Sequence, residues 1–304
     1  MPSEEKFLVR DALHPSSALS VVAAPVDLER RFGGLSRLYG AAGARKIRSA
    51  HVVVIGLGGV GSWAAEALAR SGVAKLTLID LDHIAESNIN RQIHALDTTL
   101  GQAKVQAMRE RIRLINSDCQ VHCVEEFVDA DNWPAIAGLQ EQAATDVSMI
   151  DACDQVKAKT AMAAWAIRHK INFISVGAAG GKRHAHKVEI EDLSLTTHDP
   201  LLAQLRYRLR KEQGAARQGK IGLACVFSRE AVMQPATVSE SADRASIGQA
   251  DLVVRDAPSP VQSGQPSDPQ SDGSLNCHGY GSVVTVTSTV GLCAAGWLLG
   301  KIAE

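Results

Sequence analysis

Aromatic residues are scarce: Phe, Trp and Tyr together make up 4% of the 304 residues. That excludes a binding surface built mainly on rows of stacked rings. No CxxC pair occurs among the six cysteines (Cys119, Cys123, Cys153, Cys225, Cys277 and Cys293). The usual four-thiolate zinc site is therefore not written in the chain, and no zinc is expected. The first residues lack the apolar stretch of a secretory signal, and cysteines without a disulfide framework suit a reducing compartment, so a cytoplasmic protein is expected. Net charge is nearly absent as well, at −1. No global field draws the chain to a polyanion, and any such contact must come from a local patch. Long apolar runs are missing save one, Val283 to Leu299, "VVTVTSTVGLCAAGWLL". It lies near the lower length limit for a membrane span and is diluted by Thr, Ser and Gly, so a buried segment is expected rather than membrane contact.

What is present is a chain 45% hydrophobic, enough for one large α/β domain. Residues 1–27 show scattered charge and no period, and read as a flexible extension. A helical pattern follows from Leu28 to Arg48. "HVVVIG" is a short apolar β-branched run ending at glycine, "VGSWAAEALARSG" a helix stopped by Gly72, and "KLTLID" a second strand. Together they make a βαβ unit. Gly101 to Ile115 reads as a helix, "QVHCVEE", "DVSMIDAC" and "INFISVG" as strands, and the stretch through Met162, Trp165 and Ile167 as another helix. Such alternation predicts a Rossmann-like, doubly wound α/β fold with a mostly parallel sheet, extended toward the C-terminus. Residues 234–274 hold five of the ten prolines and no aromatic residue, and read as a disordered Pro/Ser-rich loop. The expected organisation is a main domain over 28–230, that loop, and a C-terminal segment over 275–304 packing on the domain.

Gly56, Gly58, Gly59 and Gly61 form GxGGxG between the first strand and its helix. Glycines there permit a tight turn and let phosphate reach the backbone amides at a helix start. Asp80, at the end of the second strand, is placed to accept hydrogen bonds from a ribose. NAD, FAD and ATP all fit these features. Asn88 and Arg91 in "SNINRQ", with Lys104 beyond them, favour ATP. Arg and Lys stabilise terminal phosphates as pyrophosphate leaves, and a nicotinamide cofactor has no terminal polyphosphate. Asp151 and Asp154 follow a strand as "DACD". Either carboxylate could hold Mg²⁺ at the crevice, and Asp154 also suits a helix N-cap.

These stretches, with "RFGGLSRLYG" and "GQAKV", resemble the superfamily of ubiquitin-activating-like adenylyltransferases, which includes thiamine- and molybdopterin-biosynthesis enzymes. "NRQIHAL", "HDPLLAQLRYRLR" and "CVFSREA" look like its tRNA-modifying dehydratase branch. The resemblance implies that the four glycines border ATP, that Asp80 binds ribose, and that Asn88, Arg91 and Lys104 contact phosphates. Asp154 would hold magnesium, and Arg37 would enter the ATP site of a partner copy, making the protein a homodimer. A monovalent cation and a sulfur-relay partner are further implications. The implied reaction adenylates the carboxylate of threonylcarbamoyladenosine beside the tRNA anticodon, then closes a ring with loss of AMP. The alternative is activation of the C-terminus of a ubiquitin-like sulfur carrier. The missing zinc cysteines weigh against it, as Asn88, Arg91 and Lys104 weigh against an NAD-dependent oxidoreductase.

Cys225 in "LACVFS" matches the family's downstream cysteine, a position for acyl or persulfide transfer. A small buried hydrophobe is the competing reading, favoured because no adjacent base is evident. Cys277 in "NCHGYG" is read the same way. For tRNA phosphate, Arg206, Arg208, Arg210 and Lys211 are the first candidates, and "KRHAHK", read as a strand from Lys182 to Lys187, the second.

Overall fold

The computed structural model describes residues 27–140, 147–233 and 280–304. The expected N-terminal extension (except Asp27), the Pro/Ser-rich loop and Cys277 lie outside the described residues.

The five expected strands form where the β-branched runs lie: β1 (His51–Ile55), β2 (Lys75–Ile79), β3 (Gln120–Val124), β4 (Val147–Asp151) and β5 (Asn172–Val176). They pair in parallel. Side chains alternate across a strand, so β1 serves two cores at once. Val52 and Val54 face one, Val53 and Ile55 the other. A strand covered on both faces needs an unbroken apolar run, which is what "VVVI" supplies.

Helices α1 (Leu28–Phe32) and α2 (Gly34–Ser49) replace the single expected helix, with breaks at Gly33 and at Gly40. α3 (Gly61–Arg70), α4 (Lys104–Ile115) and α5 (Val156–His169) connect the parallel strands. Two further strands were not read from the sequence. β6 (Val188–Asp192) is a half-buried edge strand, antiparallel to β7 (Ala224–Ser228), and α6 (Pro200–Glu212) lies between them. The "KRHAHK" stretch is not a strand. Ala185–Lys187 is a 3-10 turn leading into β6, and Arg183, His184, His186 and Lys187 are exposed.

The sheet order is β3-β2-β1-β4-β5-β7-β6. The direction of strand addition reverses between β1 and β4, so a crevice opens at their C-terminal ends. The extension of the sheet is made by β7 and β6.

The C-terminal apolar run is α7 (Val284–Ala303). By length and composition it could cross a membrane. Its Val286, Val290, Ala294, Leu298 and Leu299 are buried in the same core as α3 and β1, while Leu292 faces outward. Gly291 is required by close approach: a Cβ there would sit 2.4 Å from the Val60 carbonyl oxygen. The last helix thus packs directly on the start of α3, beside the glycine loop.

Candidate active site

The crevice holds a cavity of about 500 Å³, a size typical of small-molecule sites. Gly56, Gly58 and Gly59, Asp80, Asn88, Arg91, Lys104 and Asp154 all line it, drawn from five separate segments. Gly61 opens α3 just behind the loop. Gly56 has φ +83°, and a Cβ would lie 2.8 Å from the Ala152 carbonyl oxygen. The β1 and β4 loops therefore touch, and any side chain at residue 56 would force them apart.

Asp80 accepts the Leu57 amide at 2.5 Å and the Asp82 amide at 2.9 Å. Burial pushes its carboxyl above the usual range, against the pull of Lys104 and those two amides. Lys104 is 5% exposed, and its Nζ lies 2.6 Å from Asp82 and 3.8 Å from Asp80. Asn88 is buried, its Oδ1 accepting the Ala85 amide at 3.1 Å. The stem of Arg91 lies over Gly59, and its Nη1 donates to the Ser87 carbonyl and to Asn90 Oδ1. Trp63 Nε1 donates to the Arg91 carbonyl at 2.9 Å, fixing that segment to α3. Two cationic side chains and an amide-rich loop thus line one crevice, an arrangement suited to polyphosphate.

The two aspartates of "DACD" separate. Asp151 is fully buried and bonded by Lys159 Nζ at 2.9 Å and Ser175 Oγ at 2.7 Å, so it faces the core and not the crevice. Burial alone would lower the Lys159 pKa; the Asp151 carboxylate outweighs it, and the net shift is upward. Asp154 lines the crevice, and the N-cap of α5 is Gln155 instead. Among the described residues no three His, Cys, Asp or Glu side chains cluster as a metal cage.

Other candidates fall elsewhere. Arg37 is exposed on α2 and does not line the cavity. Cys225 is fully buried on β7, and burial holds its thiol well above the usual range, which fits a packing role over a nucleophilic one. Arg206 is spent internally: its Nη1 donates to the Leu193 carbonyl, the Thr196 carbonyl and Thr196 Oγ1. Arg210 donates to the Ala216 carbonyl, Arg208 pairs with Glu212, and Lys211 lies over the Tyr207 ring. The basic run on α6 is therefore largely engaged within its own helix and loops. Sequence reasoning missed Asp82, Lys159 and Thr287. Asp82 had a signal, its "DLD" spacing beside a ribose-type aspartate. Thr287 reaches the cavity from α7, across a sequence distance that no local pattern spans.

His94, in "NRQIHAL", is 2% exposed, and among the described residues neither ring nitrogen has a hydrogen-bond partner. Burial, helped by Lys104 and Arg111, lowers its pKa to about 4. His51 shifts the same way, to about 4, through burial and then Lys75 and His122. The unfolded chain takes up these protons near pH 6.5 and the native one does not. Stability is therefore full above that pH and falls as pH drops toward 4. Between pH 7 and pH 5 the loss from His94 is expected to be about 2 kcal/mol. Urea midpoints at the two pH values check this: His94→Gln should flatten the dependence, leaving the part due to His51.

Residues 30–303 match the ThiF family. The chain is 45% identical over 208 residues to a tRNA threonylcarbamoyladenosine dehydratase of Escherichia coli (strain K12), covering 68% of this chain and 76% of that one. It is 35% identical over 287 residues to the protein of the same name from Haemophilus influenzae, covering 93% and 97%. The crystal structure of E. coli tRNA N6-threonylcarbamoyladenosine dehydratase in complex with ATP matches with a TM-score of 0.70 and 37% identity, over 90% of this chain and 94% of that one. The AMP complex of that enzyme matches equally, with a TM-score of 0.70. The doubly wound sheet, the glycine loop at its switch point and the match over nearly the whole length lead to one assignment: the chain belongs to the ThiF family.

Proposed function

We propose that this protein is an ATP-dependent tRNA threonylcarbamoyladenosine dehydratase. The observation that carries this reading is the single crevice lined by the glycine loop, Asp80, Asn88, Arg91, Lys104 and Asp154, in a chain whose relatives bear that name over most of their length. The adenylate half of ATP lies along the glycine loop, with Asp80 accepting the ribose hydroxyls. Arg91 and Lys104 neutralise the phosphates, Lys104 exchanging part of its bond to Asp82 for a phosphate oxygen. One carboxylate plus phosphate oxygens is the usual protein share of a Mg²⁺ site, so Asp154 fits that ion without a full cage. When bound, Mg²⁺ would offset the charge on the departing pyrophosphate.

The substrate carboxylate attacks the α-phosphorus, and the bond to pyrophosphate breaks. The resulting acyl-adenylate carries a good leaving group. A nucleophile within the same threonylcarbamoyl side chain attacks the acyl carbon, the ring closes, and AMP leaves with the former carboxylate oxygen. The net change is loss of water, driven by ATP. Holding the two reacting groups in one side chain makes the second step intramolecular, which lowers its entropic barrier. Incubation with modified tRNA and Mg-ATP, followed by nucleoside mass spectrometry, tests the assignment. A loss of roughly 18 mass units, one water, that requires ATP supports it. An unchanged nucleoside alongside ATP binding would favour the carrier-activating alternative.

Arg37 belongs to the same proposal as a residue acting in a partner copy's site within a homodimer. Arg37→Ala and Arg91→Ala are each expected to be nearly inactive. Mixed and re-associated, they should regain about a quarter of wild-type activity, because half of the dimers would be mixed and each would hold one intact site. Activity after mixing no higher than that of either variant alone would rule out action in trans.

A further inference from the structure

A second concavity, of about 340 Å³, adjoins the first and shares Pro200 and Val232 with it. Thr197, His198 and Arg206 also line it. The two spaces thus border one another at Pro200 and Val232.

His198 is exposed there, with φ +55°. That is the left-handed region, which a side chain with a Cβ disfavours and glycine does not. Two buried charged groups hold it on either side. Lys182, 2% exposed, donates from Nζ to the His198 carbonyl at 2.9 Å, and also to the carbonyls of Glu230 and Ser228. Asp199, 5% exposed, accepts the Leu202 amide at 2.9 Å and the Ala178 amide at 2.8 Å. One ammonium thus ties the segment before α6 to the segment after β7, and one carboxylate ties it to the loop after β5. A strained residue that its surroundings over-determine, at the mouth of a cavity, is a mark of function more than of packing. A glycine would make the same turn, so the backbone by itself does not call for an imidazole there.

Resting on the function proposed above, we infer that this second concavity receives an unstacked nucleobase of the RNA loop beside the modified adenosine, with His198 as its contact. Sequence-specific RNA recognition works on splayed bases laid against aromatic or imidazole rings. The outward arginines of α6 are already paired, and the exposed Arg183 and Lys187 are charges suited to phosphate more than to a base.

Steady-state kinetics with full-length modified tRNA and Mg-ATP test the assignment on wild type, His198→Ala and His198→Gly. Both variants should raise KM for tRNA by about tenfold, the loss expected for one base contact. kcat and KM for ATP should stay within about twofold of wild type. The glycine variant removes the ring while relieving the backbone, so it remains informative if the alanine variant is poorly folded. Unchanged KM for tRNA in the glycine variant, or a parallel rise in KM for ATP, overturns the inference and leaves the dehydratase reading standing. Wild-type protein inert toward modified tRNA overturns both.

Discussion

Arg91→Ala is expected to lower kcat/KM for modified tRNA by about 10²–10³-fold, the cost of one preorganised charge donor in a closed site. The fold should survive the change. Among the described residues the guanidinium bonds to the Ser87 carbonyl and Asn90 Oδ1, both at the surface, while the Trp63 bond goes to the Arg91 backbone carbonyl and does not need the side chain. Melting temperature should therefore stay close to that of wild type. ATP–pyrophosphate exchange in the presence of substrate should fall with turnover, because the effect lies in the adenylation step. Arg91→Lys keeps the charge but loses the planar fork, so an intermediate loss is expected. Activity of Arg91→Ala within threefold of wild type would remove Arg91 from the phosphate site.

The second large effect is on stability. Lys159 and Asp151 are both completely buried and 2.9 Å apart. Lys159→Met leaves a carboxylate in the core with, among the described residues, Ser175 and the Cys153 thiol and amide as its remaining donors. Removing one partner of such a pair costs about 3–5 kcal/mol. Replacing both, as Lys159→Met with Asp151→Asn, removes the stranded charge and should recover a substantial part of that loss. Denaturant midpoints of the two single variants and the double one measure the coupling directly. A loss below about 1 kcal/mol for Lys159→Met would mean that water or a shifted proton already relieves the site.

The pair also explains what the sequence could and could not disclose. The glycine loop, Asp80, Asn88, Arg91, Lys104 and Asp154 were legible because their residue types are tied to phosphate and ribose chemistry and follow recognisable strands and helices. The five parallel strands were legible for a similar reason: a strand covered on both faces must be apolar throughout. β6 and β7 were not. β6 reads "VEIED", half-buried at an edge, and its charges mimic a loop. Asp151 was taken as a crevice residue because it ends a strand. Only the tertiary position of Lys159, on the helix after it, turns that carboxylate inward. The basic run on α6 read as a phosphate surface, and it was local carbonyls, invisible in a residue string, that engaged Arg206 and Arg210.

α7 carries a consequence for synthesis. Its buried face fills the core shared with α3 and β1, and Gly291 rests against Val60 near the start of α3. The partner surface leaves the ribosome early, whereas α7 follows β5 by about a hundred residues. At roughly 5–20 residues per second, the apolar side of the half-formed sheet waits about 5–20 s for its cover. During that interval the nascent chain presents the kind of surface that chaperones bind, and the nucleotide crevice lacks the part of its lining that Thr287 of α7 supplies. Maturation of the ATP site is thereby coupled to arrival of the final helix.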